Sequence, residues 1–220
     1  MVYPAAMSKP RIRPADRGDS RFVAWVIQEA ARSHLERGIW DVALPDDARR
    51  SDFLDALARA DARSFCHHRG FLIAEVDGRA AAALSGYEPR TGLGSNWEEA
   101  NAQASRELGF SERDRTDMAT AMASLGDPFP EIPQDRWIVE WVATVPEFRG
   151  RGLAGTLLQE IMQRGREAGY QKAQVGYLIG NTPAMRAYER IGFKTVDEKR
   201  DPDFEAVLGC PGIATMHTDL

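Results

Sequence analysis

The sequence is poor in the features that mark several large protein classes. It holds two cysteines in 220 residues, Cys66 and Cys210, far apart and in no Cys-x-x-Cys or Cys/His ligand spacing. A disulfide framework is unsupported, and both thiols read as small apolar core residues of a chain kept in the reducing cytoplasm. No run of about 18 apolar residues occurs, and the opening "MVYPAAMSKPRIRP" has no sustained apolar segment. No membrane partner is expected. There is no excess of positive charge either: the formal net charge is -5, which argues against a nucleic-acid partner. Repeats and low-complexity tracts are absent.

What is present is an ordinary globular composition, 43% hydrophobic and 28% charged with the signs interspersed. "PRIRPAD" reads as a short strand. "DSRFVAWVIQEAARSHLERG" repeats apolar residues at helical spacing, with Ser20 expected as N-cap and Gly38 as stop. "DDARRSDFLDALARAD" is a second helix. "FLIAEVDGRAAAALSGYE" holds two apolar runs joined by Asp77-Gly78, a hairpin signal. From about residue 91 to 134 the pattern turns helical, with a capping box expected at Ser95 and Glu98 and another helix from Ser111. This stretch reads as a helical insertion that ends in a proline-rich loop. Beyond it, strands "RWIVEWVATV" and "KAQVGYLI" alternate with helices that begin near Gly152 and Asn181. "FKTVDEK" and "GIATMHTDL" supply two last strands. The order indicates an α/β (α+β) fold of one domain over residues 1–220, with a mixed central sheet flanked by helices.

"VATVPEFRGRGLAG" contains Gly150-x-Gly152-x-x-Gly155, the spacing of a dinucleotide-binding loop. Four residues separate the preceding strand from Gly150, and no acidic residue stands about 20 positions after Gly155, so the NAD reading fails. No Gly-Lys-Ser/Thr follows, which excludes a Walker loop. Gly150 and Gly152 still let the backbone approach an anion at a helix N-terminus, with Arg149 and Arg151 adding charge. The loop alone is equally compatible with a plain strand-to-helix turn.

The same residues resemble motif A of the GNAT superfamily of acyl-CoA-dependent N-acyltransferases, Arg/Gln-x-x-Gly-x-Gly/Ala, as Arg149-x-x-Gly152-x-Ala154. Downstream, "NTPAMRAYERIGF" is similar to that family's Asn-x-x-Ala-x-x-x-Tyr-x-x-x-Gly-Phe pattern, at Asn181, Ala184, Tyr188, Gly192 and Phe193. Two motifs in the right order are far more specific than either alone. The resemblance implies a GNAT-type fold with a splayed strand pair and an N-acetyltransferase that uses acetyl-CoA as cosubstrate and no metal. It implies an amine acceptor, small molecule or peptide, and leaves room for a homodimer.

The resemblance also implies roles. Backbone groups of Arg149, Gly150, Arg151, Gly152, Leu153, Ala154 and Gly155 would hold the pyrophosphate. Val142, Ala143 and Thr144 would run beside the pantetheine arm, and Asn181 would touch it. Tyr188 would protonate the leaving thiolate; its rival reading is a packed helix residue bonded to backbone. A backbone N–H near Val142 would polarise the thioester carbonyl. Glu140, mid-strand, would take the amine proton after burial raises its pKa. Family members that use a glutamate on this strand commonly carry it one rung earlier, at Ile138 here, so an ion pair to a structural arginine competes for Glu140. Strand alternation places Glu140 on the face of Val142 and Thr144. A non-catalytic acyl-CoA-binding domain is the rival from another class; it has no need of the Tyr188 phenol.

Three further expectations concern specificity. Trp97, Trp137 and Trp141 read as an acceptor wall or as core. His67-His68 reads as a solvated turn. The insertion carries eight acidic residues against three arginines, which is either a lid for a cationic amine or a solvated face.

Overall fold

Alternation along the strands sorts side chains into two cores. In β2 (Phe71–Val76), Phe71 and Ile73 join one core while Leu72, Ala74 and Val76 join the other. A computed structural model describes residues 9–89 and 96–220. Its sheet contains β1 (Arg11–Pro14), β2, β3 (Arg79–Tyr87), β4 (Trp137–Thr144), β5 (Lys172–Leu178), β6 (Lys194–Arg200) and β7 (Gly212–Asp219). Their spatial order is β1-β2-β3-β4-β5-β7-β6. Every described pairing is antiparallel except that of β4 with β5.

The first core receives α1 (Ser20–Arg32), α2 (Ile39–Ala43), α3 (Asp47–Ala58), α4 (Trp97–Glu107) and α5 (Glu112–Ala123). The second, on the opposite face, receives α6 (Leu153–Glu167) and α7 (Thr182–Glu189). Gly86 on β3 is required by that packing, because a Cβ there would stand 2.4 Å from Ile161 of α6. A smaller core gathers Leu125, Leu208 and Cys210 around Phe204 of α8 (Pro202–Leu208). This helix is missing from the sequence reading, since seven residues carry too little periodicity. Asp201 starts it by accepting from the N–H groups of Asp203 and Phe204.

Several expected boundaries move. Ser20 is the first helical residue of α1 and Asp19 occupies the cap position. The helix ends at Arg32, before Ser33 at φ +60°, well short of Gly38. Gly38 instead precedes α2, where a Cβ would lie 2.6 Å from the Ala31 backbone. Asp77 and Gly78 both take positive φ, as the expected two-residue hairpin turn demands. Ser95 lies outside the described residues; Asn96 holds the N-cap position of α4. Ser111 caps α5, with Asp114 reciprocating.

The helices on the first face are tied by ion pairs. Arg50, only 1% exposed, contacts Asp41 at 3.0 Å and donates to the Leu44 carbonyl at 2.6 Å. Asp41 also accepts from Arg32 Nη2 at 2.6 Å, so α1, α2 and α3 share one network. The insertion docks on α3 through Arg49–Asp114 at 2.8 Å and through Arg59–Glu107.

Candidate active site

β4 and β5 stay in register only from Trp137↔Ala173 to Val139↔Val175. Past Val139, β5 follows β7 to Leu178 while β4 follows β3 to Thr144. The sheet opens between them, and residues 140–144 of β4 have no ladder partner on the β5 side. On the other side, Ser85 pairs with Glu140 and Ala83 with Ala143, so Trp141 and Val142 together oppose Leu84. This is a β-bulge, and Trp141 adopts φ +51° within it. A bulky residue in the left-handed region costs about 1–2 kcal/mol, which the surrounding packing has to offset. Ser85 Oγ donates to the Glu140 carbonyl at 3.2 Å at the same point.

The bulge breaks strand alternation and overturns the expected facing of Glu140. Val139 and Val142 pack on the second core and Trp141 and Ala143 on the first, so the alternation is lost between Glu140 and Trp141. Glu140 therefore does not share a face with Val142. Its carboxylate accepts a hydrogen bond from Tyr87 Oη at 3.0 Å, with Tyr87 only 2% exposed. Among the described residues no arginine or lysine pairs with Glu140, which removes the ion-pair reading. Burial raises its carboxyl to about 7, against the Tyr87 hydrogen bond, which lowers it. The neighbouring Cys66 thiol is pushed well above its usual range, first by burial and then by the Glu140 charge.

After β4, Pro146–Phe148 forms a 3-10 turn with the Phe148 ring buried. Gly150 and Gly152 follow at φ +77° and +75°, a conformation that L side chains resist. Gly152 caps α6, and the first backbone bond of that helix runs from Thr156 N–H to Gly152. Among the described residues, the N–H groups of Gly150, Arg151, Gly152, Leu153, Ala154 and Gly155 find no acceptor. A Cβ at Gly150, Gly152 or Gly155 would meet nothing within 4 Å. A row of free amides under open space at a helix N-terminus fits a phosphate group. Leu153 contributes only backbone here, since its side chain is in the second core. Arg149 Nε donates to the Thr144 carbonyl at 3.2 Å, and Arg151 Nη2 to that of Glu147 at 2.9 Å. Arg151 also lies over the Phe148 ring.

One cavity of about 1070 Å³ runs from Arg149 and Ala154, past Val142, Ala143 and Thr144, to Glu140. Asn181 and Tyr188 line it from α7. The Asn181 amide is already engaged: its oxygen accepts from Ala184 N–H at 3.1 Å and its nitrogen donates to Ser33 Oγ. Tyr188 packs on Phe193 with centroids 6.1 Å apart, and burial raises its phenol above the usual range. No hydrogen-bond partner of its hydroxyl occurs among the described residues, backbone included.

The remaining expectations divide. Trp97 and Trp141 line the cavity, whereas Trp137 is core, against α6 and 5.9 Å from Tyr170. His67 and His68 are buried at 4% and 8% exposure, correcting the solvated-turn reading. His67 accepts from Arg69 N–H and His68 Nδ1 meets the Ala58 carbonyl at 2.8 Å. None of the insertion's eight carboxylates lines the cavity, so the acidic lid is overturned. Glu107 and Asp114 anchor α4 and α5, and Asp127 pairs with Lys199 at 2.7 Å. Among the described residues no three His, Cys, Asp or Glu side chains converge as a metal site requires.

Tyr87 and Ser33 were not visible as site residues in the sequence. Each reaches the cavity through a partner more than 50 positions away, and no local motif signals such a pairing.

Residues 33–193 match the model of the family described as "Acetyltransferase (GNAT) family". The chain belongs to the GNAT acetyltransferase family. It is 42% identical over 57 residues to the mycothiol acetyltransferase of Corynebacterium aurimucosum, a match that covers 26% of this chain and 19% of that one. The chain thus aligns with about a fifth of that curated relative. Its fold is similar to the crystal structure of an N-acetyltransferase from Staphylococcus aureus Mu50, at TM-score 0.68 and 18% identity, covering 96% of this chain and 100% of that one. Another acetyltransferase crystal structure gives TM-score 0.68 and 18% identity, covering 95% and 98%. At such identity the likenesses bear on the fold. Among the described residues no helix is long and apolar enough to cross a membrane.

Proposed function

We propose that this chain is one catalytic domain that transfers an acetyl group from acetyl-CoA to an amine in the cytoplasm. The observation that carries the reading is one cavity that starts at Ala154, within the row of free amides Gly150–Gly155, and passes the parted β4–β5 edge to Glu140 and Tyr188. Acetyl-CoA would supply an activated thioester, whose C–S bond breaks as the C–N bond forms.

The amides from Gly150 to Gly155 and the α6 dipole hold the pyrophosphate, and the Arg149 amide joins them by giving up its bond to the Pro146 carbonyl. Residues Val142, Ala143 and Thr144 offer unpaired strand edge to the pantetheine amides, and Asn181 reaches that arm by exchanging its bond to Ser33. Glu140 takes one proton from the incoming ammonium, since an ammonium has no lone pair. A carboxyl near 7 is half ionised at neutral pH and is basic enough for this task. A bulge N–H near Val142 polarises the acyl oxygen. Tyr188 gives its proton to the departing thiolate. A pure acyl-CoA binder has no use for a desolvated carboxyl held beside the slot.

Thermal-shift titrations with acetyl-CoA, CoA and NADH, followed by thiol release on an amine panel, test the assignment. A ligand at 100 times its Kd adds about 2.7 kcal/mol. Stabilisation by both CoA forms but not by NADH, with amine-dependent thiol release, is the expected result. Stabilisation by NADH alone would overturn it.

A further inference from the structure

We infer that the acceptor is a monoamine on an apolar body of aryl or branched-alkyl size, carrying no second positive charge. This rests on the acetyltransferase reading above and concerns the other half of the same cavity.

Beyond Glu140 the cavity is walled by Trp40, Phe65, Trp97, Trp141, Met118 and Met122. These come from β4, α2, α4, α5 and the segment before β2, so the insertion contributes apolar surface rather than its carboxylates. Among the described residues only two carboxylates line the cavity, Glu29 and Glu140. Glu29 is 3.4 Å from Arg32, so its charge is offset. That leaves Glu140 as the one carboxylate without a cationic neighbour, and it is needed by the reacting nitrogen. A second ammonium would leave water for an apolar wall without a counter-charge, which is costly. It would also meet Arg115, which lines the cavity from α5, bonds the Phe110 carbonyl at 2.9 Å and forms no ion pair among the described residues.

An aromatic cage could bind a cation without carboxylates, through ring faces. Here Phe65 takes one ring face of Trp97 and one of Trp141. Phe65 stacks on Trp97 at 5.1 Å and on Trp141 at 6.2 Å, with interplanar angles of 20° and 23°. Trp40 leans on Trp97 at 5.9 Å. Such a wall presents edges, methyls and thioethers, which suit an apolar substituent. An apolar surround also favours the neutral amine, the form that reacts.

The experiment measures kcat/KM by thiol release for 2-phenylethylamine, isoamylamine, putrescine and spermidine at one pH. Thermal shifts of the CoA-loaded protein with each amine provide a readout independent of turnover. We expect 2-phenylethylamine to exceed spermidine at least tenfold in kcat/KM and to be the better stabiliser. Ala119→Glu, at an exposed position of α5 that lines the cavity one turn from Arg115, adds a carboxylate that offsets that cation on a helix that tolerates it. It should narrow the ratio at least threefold in favour of spermidine. A wild-type preference for putrescine or spermidine, or equal rates for all four amines, overturns the inference while leaving the acetyltransferase reading intact. Absence of any shift with acetyl-CoA, together with no thiol release, removes both.

Discussion

Tyr87 Oη donates to Glu140 Oε1 at 3.0 Å across the β3–β4 pair, one rung beyond the bulge that turns Trp141 into the cleft. The bond fixes the carboxylate of a residue whose backbone carbonyl is held by Ser85. Both ends of Glu140 are thus positioned by β3, the strand that pairs with β4 on the side away from the opening.

Replacing Glu140 with Gln should lower kcat/KM at neutral pH by tenfold or more, the scale of a lost general base. The pH–rate profile of the parent should rise through about 7, and that limb should vanish in the variant. Stability moves the other way. A carboxyl whose folded pKa lies above its unfolded value contributes stability below about 4.5 that is lost as pH rises through about 7. Glu140→Gln should therefore stabilise the fold relative to the parent at pH 8 by on the order of 3 kcal/mol, read as a raised Tm, and by much less at pH 5. Equal Tm differences at both pH values would show that the carboxyl is not desolvated.

Tyr87→Phe removes the hydrogen bond that lowers the Glu140 pKa and leaves the ring in place. The acid limb of kcat/KM should move to higher pH, so the variant loses more activity at pH 6.5 than at 8.5. A uniform loss across the range would mean that Tyr87 acts through packing alone.

In Tyr188→Phe, kcat should fall roughly 10²-fold, since proton transfer by a positioned group contributes that order. The thermal shift with CoA should be preserved, because the phenol hydroxyl bonds nothing among the described residues. A variant with parental kcat removes Tyr188 from the chemistry.

Arg50→Ala should destabilise the chain by about 3–5 kcal/mol, the cost of leaving buried Asp41 with one cation instead of two and an empty guanidinium site. Urea unfolding measures it. A change within 0.5 kcal/mol would show that Arg32 alone satisfies Asp41.

Acidification should weaken the fold through His67. Burial, then the neighbouring His68, depress it to about 4, so its contribution is full above about 6.5 and lost as pH falls through 4. His67→Gln should flatten the Tm profile between pH 6.5 and 4 while leaving Tm at pH 8 nearly unchanged.

Much of this molecule was legible locally. Ser111 as a cap, Asp77-Gly78 as a turn, Asn181 before α7 and Gly152 before α6 are short-range events, decided by hydrogen bonds and φ preferences within four residues. Where the reading slipped, distant groups had intervened. Gly38 looked like a helix stop, yet close approach to the Ala31 backbone made it the start of α2. The insertion's carboxylates read either as a lid or as a solvated face, and Arg49, Arg59 and Lys199 hold three of them.

The sequence by itself determined the order of the strands and of the longer helices, the glycine turn that opens α6 and the two motifs that carry the family resemblance. Each depends on residues near one another in the chain, where spacing translates directly into geometry. Only the tertiary structure decided which way Glu140 points, that it faces Tyr87 instead of an arginine, and that Trp97 and Trp141 line the cavity while Trp137 is core. A two-for-one bulge inverts every alternation downstream of it, and its position depends on how two strands more than 50 residues apart come into register.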